Sequence, residues 1–204
     1  MDNSWVESRR AFEDAADWYL ATVALVGNRW QQPGLGEWTV LDLVGHASRS
    51  FLTIETYLAR PAGSVEIASP SDYYLATRAI AAGPDVAQRG RDAAAALGAD
   101  PVTAVRDIAA RVRGLLDEHD GTALLATIAG GMRLADYLPT RTFELVVHTA
   151  DLALALGEPL DAPATAAAQV LGVISDIALT DGTAGSLVLL ATGRTALPGR
   201  FSVM

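Results

Sequence analysis

The chain has 204 residues, half of them hydrophobic, and a formal charge of −9 at pH 7. That length suits one domain with a full core, and the negative balance argues against nucleic acid or an anionic membrane surface as a partner. All fifteen basic residues are arginine and cysteine is absent, which excludes a lysine-bearing phosphate loop, Schiff-base chemistry, disulfides and thiolate-ligated metals, so that any metal must sit on nitrogen and oxygen.

Alanine is abundant and strand formers are sparse outside the last twenty residues, which predicts an all-α protein. The N-terminus has neither a basic flank nor an immediate apolar core and does not read as a signal peptide. No uncharged apolar run approaches the roughly twenty residues that cross a bilayer, so the expected location is the cytoplasm.

In chain order, Ser4-x-x-Glu7 has the form of a capping box, and Trp5, Phe12, Tyr19 and Val26 recur at heptad spacing behind it. The pattern predicts a long first helix ending at Gly27. Residues 28–38 read as an irregular connection, and Gly34-x-Gly36 lacks the third glycine and the preceding strand of a dinucleotide site. Thr39-x-x-Asp42 caps a second helix with the stripe Val40, Leu43, Ala47, Phe51, Ile54 and Leu58, and His46 lies at the edge of that stripe. Trp38 reads as a packing residue just before the cap.

Pro61 ends this helix, and a loop follows to Ser71. Shorter helices are expected over 72–82 and 83–98. Asp100-Pro101 caps a third main helix ending at His119-Asp120-Gly121, where His119 is expected to face water. Residues 121–139 are weakly periodic and read as a loop, with Pro139 opening the next helix over 140–156. Another helix runs from near Asp161 to Asp181. The tail, 186–204, reads as a short strand or extended flap beyond a bundle over 1–185.

The helix after Pro139 carries the chemistry. Glu144, His148 and Asp151 fall at i, i+4 and i+7 on one face, with Arg141 one turn earlier. Phe143, Val146, Val147, Ala150 and Leu154 line one flank, and Leu145, Leu152 and Leu156 another, so the helix is expected to be buried almost all round. A carboxylate and an imidazole there are costly unless paired or bound to an ion. We select His46, Glu144 and His148 as a metal set; two imidazoles and one carboxylate leave open positions, as catalytic sites do. Zinc is the first expectation, and non-haem iron uses the same ligands. Asp151 is placed to accept the free ring N–H of a ligating imidazole. Arg141 either neutralises an anionic group on a bound molecule or pairs with Glu144 or Asp151. From these residues alone, a buried Glu–His ion pair or two separately solvated residues would give the same Glu144-x-x-x-His148 pattern.

Trp38-Thr39-Val40-Leu41-Asp42-Leu43-Val44-Gly45-His46, taken with Arg141-Thr142-Phe143-Glu144-Leu145-Val146-Val147-His148-Thr149-Ala150-Asp151-Leu152, resembles the two signature stretches of the mycothiol-dependent maleylpyruvate isomerase family, within the DinB/YfiT-like metalloenzymes. The resemblance covers most of residues 4 to 180. It implies a four-helix bundle with additional short helices, and a divalent metal, usually zinc, at His46, Glu144 and His148. It also implies mycothiol as thiol cosubstrate. A thiolate formed there would attack a small electrophilic substrate, and by their positions on the helix Arg141 and Asp151 are the candidate catalytic residues, with Arg141 also placed to contact the cosubstrate. Longer members carry a second C-terminal domain where this chain has only 186–204, so isomerisation and thiol transfer both stand as expectations. A hydrolase using metal-bound water, and a non-catalytic bundle stabilised by its metal, are the competing classes. The expected state is monomer or homodimer.

Overall fold

The computed structural model of the protein describes residues 3–81 and 85–195. Its elements are α1 (Asn3–Ala24), α2 (Val40–Leu58), α3 (Pro70–Ala81), α4 (Asp85–Ala96), α5 (Pro101–Asp117), β1 (Leu124–Thr127), β2 (Gly130–Arg133), α6 (Leu134–Leu156), α7 (Ala164–Thr180) and α8 (Ala184–Ala191). The fold is all-α apart from one two-stranded hairpin, in which β1 pairs antiparallel with β2.

Four helices form the central bundle. Around its perimeter α1 packs on α6, α6 on α2, α2 on α5, and α5 back on α1. Their shared core contains the fully buried Phe12, Tyr19, Leu43, Phe51, Ile54, Leu116, Leu138 and Leu145. These are the apolar stripes of the sequence, brought face to face because burial of that surface is the main favourable term. Tyr19 reaches across the bundle, and its hydroxyl donates to the Val44 carbonyl at 2.8 Å. Outside this ring, α4 covers α2, α7 lies against α6 and α1, and α3 packs on both α7 and α6.

Local signals set several boundaries as expected. Thr39 and Asp42 form a reciprocal capping box, with Asp42 N–H donating to Thr39 Oγ1 at 3.1 Å and Thr39 N–H to Asp42 Oδ2 at 3.0 Å. Asp100 accepts from Thr103 N–H at 3.1 Å ahead of Pro101. Gly157 terminates α6 in the left-handed conformation, φ 72°.

Four expectations are corrected. Among the described residues α1 starts at Asn3, so Ser4 lies inside the first turn rather than ahead of it. The stretch 121–139 is a hairpin followed by the start of α6, and Pro139 lies inside that helix. Pro139 removes one backbone bond, yet the first turn is held from outside, since Leu134 N–H donates to the Ala123 carbonyl and Ala135 N–H to that of Gly121. The α6 surface is not sealed all round, because Leu154 is 64 % exposed. Residues 186–191 of the expected extended tail belong to helix α8, which has no buried side chain; residues 196–204 lie outside the described residues.

Candidate metal centre

His46 comes from α2 and Glu144 and His148 from α6, the two helices that adjoin in the bundle. One ligand atom from each of the three lies within 4.8 Å of the others. The two imidazole rings meet edge to face with centroids 4.8 Å apart. His148 Nε2 is 3.3 Å from Glu144 Oε2, and His148 Nδ1 is 3.2 Å from Asp151 Oδ2. A separation of about a hundred positions in sequence thus closes to one point in space.

The other side chains present these groups. Tyr74 of α3 donates to Glu144 Oε1 at 3.0 Å, its oxygen lying equally near the Thr140 carbonyl, and this leaves Glu144 Oε2 facing His148. Trp38 lies with its ring centroid 4.5 Å from that of His46 and donates Nε1–H to the Ala87 carbonyl at 3.2 Å. It is buried as a packing residue, and it also walls the site. Arg141 is buried and packs on the Tyr137 ring at 4.8 Å and the Tyr73 ring at 5.6 Å. Its Nε–H donates to Thr140 Oγ1 at 3.0 Å. The expected pairing partners of Arg141, Glu144 and Asp151, are not in salt-bridge contact with it among the described residues. His119 stands beyond the end of α5, half-buried and away from the triad.

Electrostatics separate the two histidines. Burial, and then the neighbouring His148, lower the His46 pKa to about 3, so His46 is neutral. Burial also works against charge on His148, but hydrogen bonds to Asp151 and Glu144 outweigh it and raise that pKa to about 9. Burial opposes ionisation of Glu144 as well, yet the His148 hydrogen bond and the Arg141 charge hold it far below the usual carboxylate range.

Three observations fit a divalent cation. The donors are nitrogen and oxygen in the two-imidazole, one-carboxylate combination. Their atoms converge. In addition, His46 Nδ1 is buried with no hydrogen-bond partner among the described residues, and an unsatisfied buried polar atom in a folded protein calls for an explanation such as an ion.

The triad opens on a cavity of about 450 Å³ whose lining includes Trp38, Arg49, Tyr57, Tyr73, Tyr74, Arg89, Ile128 and Arg141. Sequence reasoning selected His46, Glu144, His148, Asp151 and Arg141, and missed Tyr74, Arg49 and Arg89. The adjacent pair Tyr73-Tyr74 is visible in the sequence, but nothing there says that α3 packs beside α6. A helical bundle with a His-Glu-His cluster at the wall of a cavity defines the class: a DinB-like bundle with a candidate metal centre. The chain belongs to the mycothiol maleylpyruvate isomerase N-terminal domain family, whose sequence model matches residues 6–153. Comparison with curated proteins and with solved structures gives no match. No described helix is long and apolar enough to cross a membrane.

Proposed function

We propose that this protein is a zinc-dependent enzyme that uses mycothiol as cosubstrate to isomerise or conjugate a small electrophilic molecule. The reading includes a cytoplasmic monomer or homodimer with no nucleic-acid or membrane partner. The observation that carries it is the convergence of His46, Glu144 and His148 on one point of a cavity wall, in a chain of this family.

His46, Glu144 and His148 would hold the ion. A cation bound there supplies Lewis acidity, which lowers the pKa of a thiol and makes thiolate available at neutral pH. The remaining work falls to the chain. Asp151 accepts the Nδ1 proton of His148, which fixes the tautomer and turns the Nε2 lone pair towards the triad. Tyr74 orients Glu144 by holding Oε1. Trp38 and Tyr57 shield the site from water, and Arg141 supplies a fixed positive charge within the cavity wall.

Because the chain has no cysteine, the sulfur nucleophile comes from outside. Its lone pair forms a C–S bond at an electrophilic alkene carbon, and the alkene electron pair moves onto a conjugated carbonyl. Rotation about the resulting single bond, followed by expulsion of the same sulfur, returns the thiol and an isomerised double bond. Protonation with retention of the C–S bond gives the conjugate instead.

Titration of cobalt-substituted protein with mycothiol tests this reading. A cobalt–thiolate absorption band is expected in the wild type and not in His148→Ala. No spectral change at millimolar thiol, combined with turnover of an ester or amide, would overturn thiol dependence in favour of hydrolysis.

A further inference from the structure

Among the described residues, eight arginines are ion-paired: Arg9, Arg10, Arg29, Arg78, Arg91, Arg111, Arg113 and Arg133. Arg60, Arg106 and Arg194 are exposed to water. Among the described arginines, only Arg49, Arg89 and Arg141 are neither exposed nor ion-paired, and all three line the cavity beside the triad. In a chain with 24 acidic residues and only 15 basic ones, unpaired guanidinium groups in a half-buried setting are not the expected outcome. Among the described residues the one carboxylate lining the cavity is Glu144, and it is engaged by His148 and Tyr74.

The fold forces these arginines together. Arg49 lies on α2 one turn after His46, and Arg89 lies on α4, which packs directly on α2. That crossing is made at glycines. A Cβ at Gly45 would overlap the Ala94 backbone, and one at Gly90 would come within 2.9 Å of the Trp38 ring. The backbones of α2 and α4 are therefore in close contact at Gly45 and Ala94, which holds the backbone bearing Arg89 beside α2. Burial, then Arg89, and more weakly Arg141, disfavour the charge on Arg49. Like charges confined in this way gain from an anion placed between them.

We propose that Arg49 and Arg89 form an anion-binding subsite on the cavity wall beside the triad, which takes a carboxylate-bearing small molecule. The subsite names the substrate class of the function proposed above, and depends on that reading only in calling the ligand a substrate. The guanidinium fork matches a carboxylate in plane and in hydrogen-bond spacing, which a neutral isostere cannot exploit.

The test compares benzoate with benzamide by calorimetric titration, in metal-free and in zinc-loaded protein. Benzoate is expected to bind at least about tenfold more tightly than benzamide in both forms, in line with charge-assisted hydrogen bonds. Arg49→Gln and Arg89→Gln are each expected to remove most of that preference, while Arg49→Lys retains part of it. The glutamine variants should melt no lower than wild type, because they relieve repulsion; a variant that fails to fold leaves the lysine variant and the ligand pair to decide. Equal binding of benzoate and benzamide would overturn the subsite. So would a preference that survives both glutamine variants and is present only in the zinc-loaded protein, since the anion would then sit on the ion. Failure of zinc to bind, with the benzoate preference intact, would remove the proposed metalloenzyme and leave the subsite standing.

Discussion

Asp151 Oδ2 lies 3.2 Å from Nδ1 of His148, one turn back on α6. A carboxylate accepts only, so this contact keeps a proton on Nδ1, and in the neutral ring it leaves Nε2 as the free nitrogen facing Glu144 and His46. Asp151→Asn keeps an acceptor but loses its charge. A fall of about ten- to a hundredfold in metal affinity is expected, the usual range for such supporting contacts. Competition against a calibrated chelator measures it. A loss as complete as that of His148→Ala would make Asp151 a ligand in its own right.

Metal binding should release a proton at neutral pH. With no ion bound, the hydrogen bonds to Asp151 and Glu144 raise His148 from its ordinary 6.5 to about 9, so the ring is cationic at pH 7, whereas a ligating imidazole is neutral. Apparent affinity should climb with pH up to about 9 and then level off. A raised folded-state pKa contributes stability that is full below 6.5 and is lost as pH rises through about 9. The metal-free protein should accordingly lose stability over that window. Calorimetry in two buffers of different ionisation heat at pH 7 reads the proton directly; identical heats would contradict the assignment.

Tyr74→Phe removes the donor to Glu144 Oε1 and leaves a buried carboxylate with one partner fewer. A stability loss of about 1–3 kcal/mol is expected, with weaker metal binding because Glu144 gains rotational freedom. Urea denaturation and metal competition on the same sample give both numbers. If stability falls while metal affinity is unchanged, Tyr74 serves packing alone.

Gly45→Ala tests the α2–α4 contact. The added methyl meets the Ala94 backbone rather than a flexible side chain, so the helices must separate, at a cost of about 1–3 kcal/mol by analogy with overpacked cores. Gly114, on the open face of α5, has nothing within 4 Å of an added Cβ, and Gly114→Ala is the control, expected to be neutral or stabilising. Equal melting temperatures for the two variants would mean that the crossing is looser than described.

Periodicity made the bundle legible, because each main helix carries an apolar stripe at helical spacing and a cap written in local residues, as at Thr39 and Asp100. It also placed Glu144, His148 and Asp151 together, since three positions on one helix have fixed relative directions. Neither source could say which element faces them. The assignment of His46 from α2 rested on the resemblance and on its place at the edge of a stripe. Tyr74, Arg49 and Arg89 reach the cavity through packing between helices, and no local pattern records that. Pro139 misled for a related reason: proline usually marks the start of a helix, but here the carbonyls of Gly121 and Ala123 secure a turn that the sequence alone reads as loop.

That proline has a further consequence for motion. With no N–H at Pro139 to reach back to Ala135, the first turn of α6 lacks one of its own bonds and takes two from Gly121 and Ala123, just ahead of the hairpin. The natural line of opening therefore runs at Pro139, with the hairpin and first turn on one side and the turns bearing Glu144 and His148 on the other. Ile128, at the hairpin tip, belongs to the cavity lining. The entrance would then breathe while the floor stays fixed. Amide exchange should show this as fast, correlated exchange over 124–135 and slow exchange over 143–152. Uniform protection along the whole of α6 would mean that entrance and floor move as one.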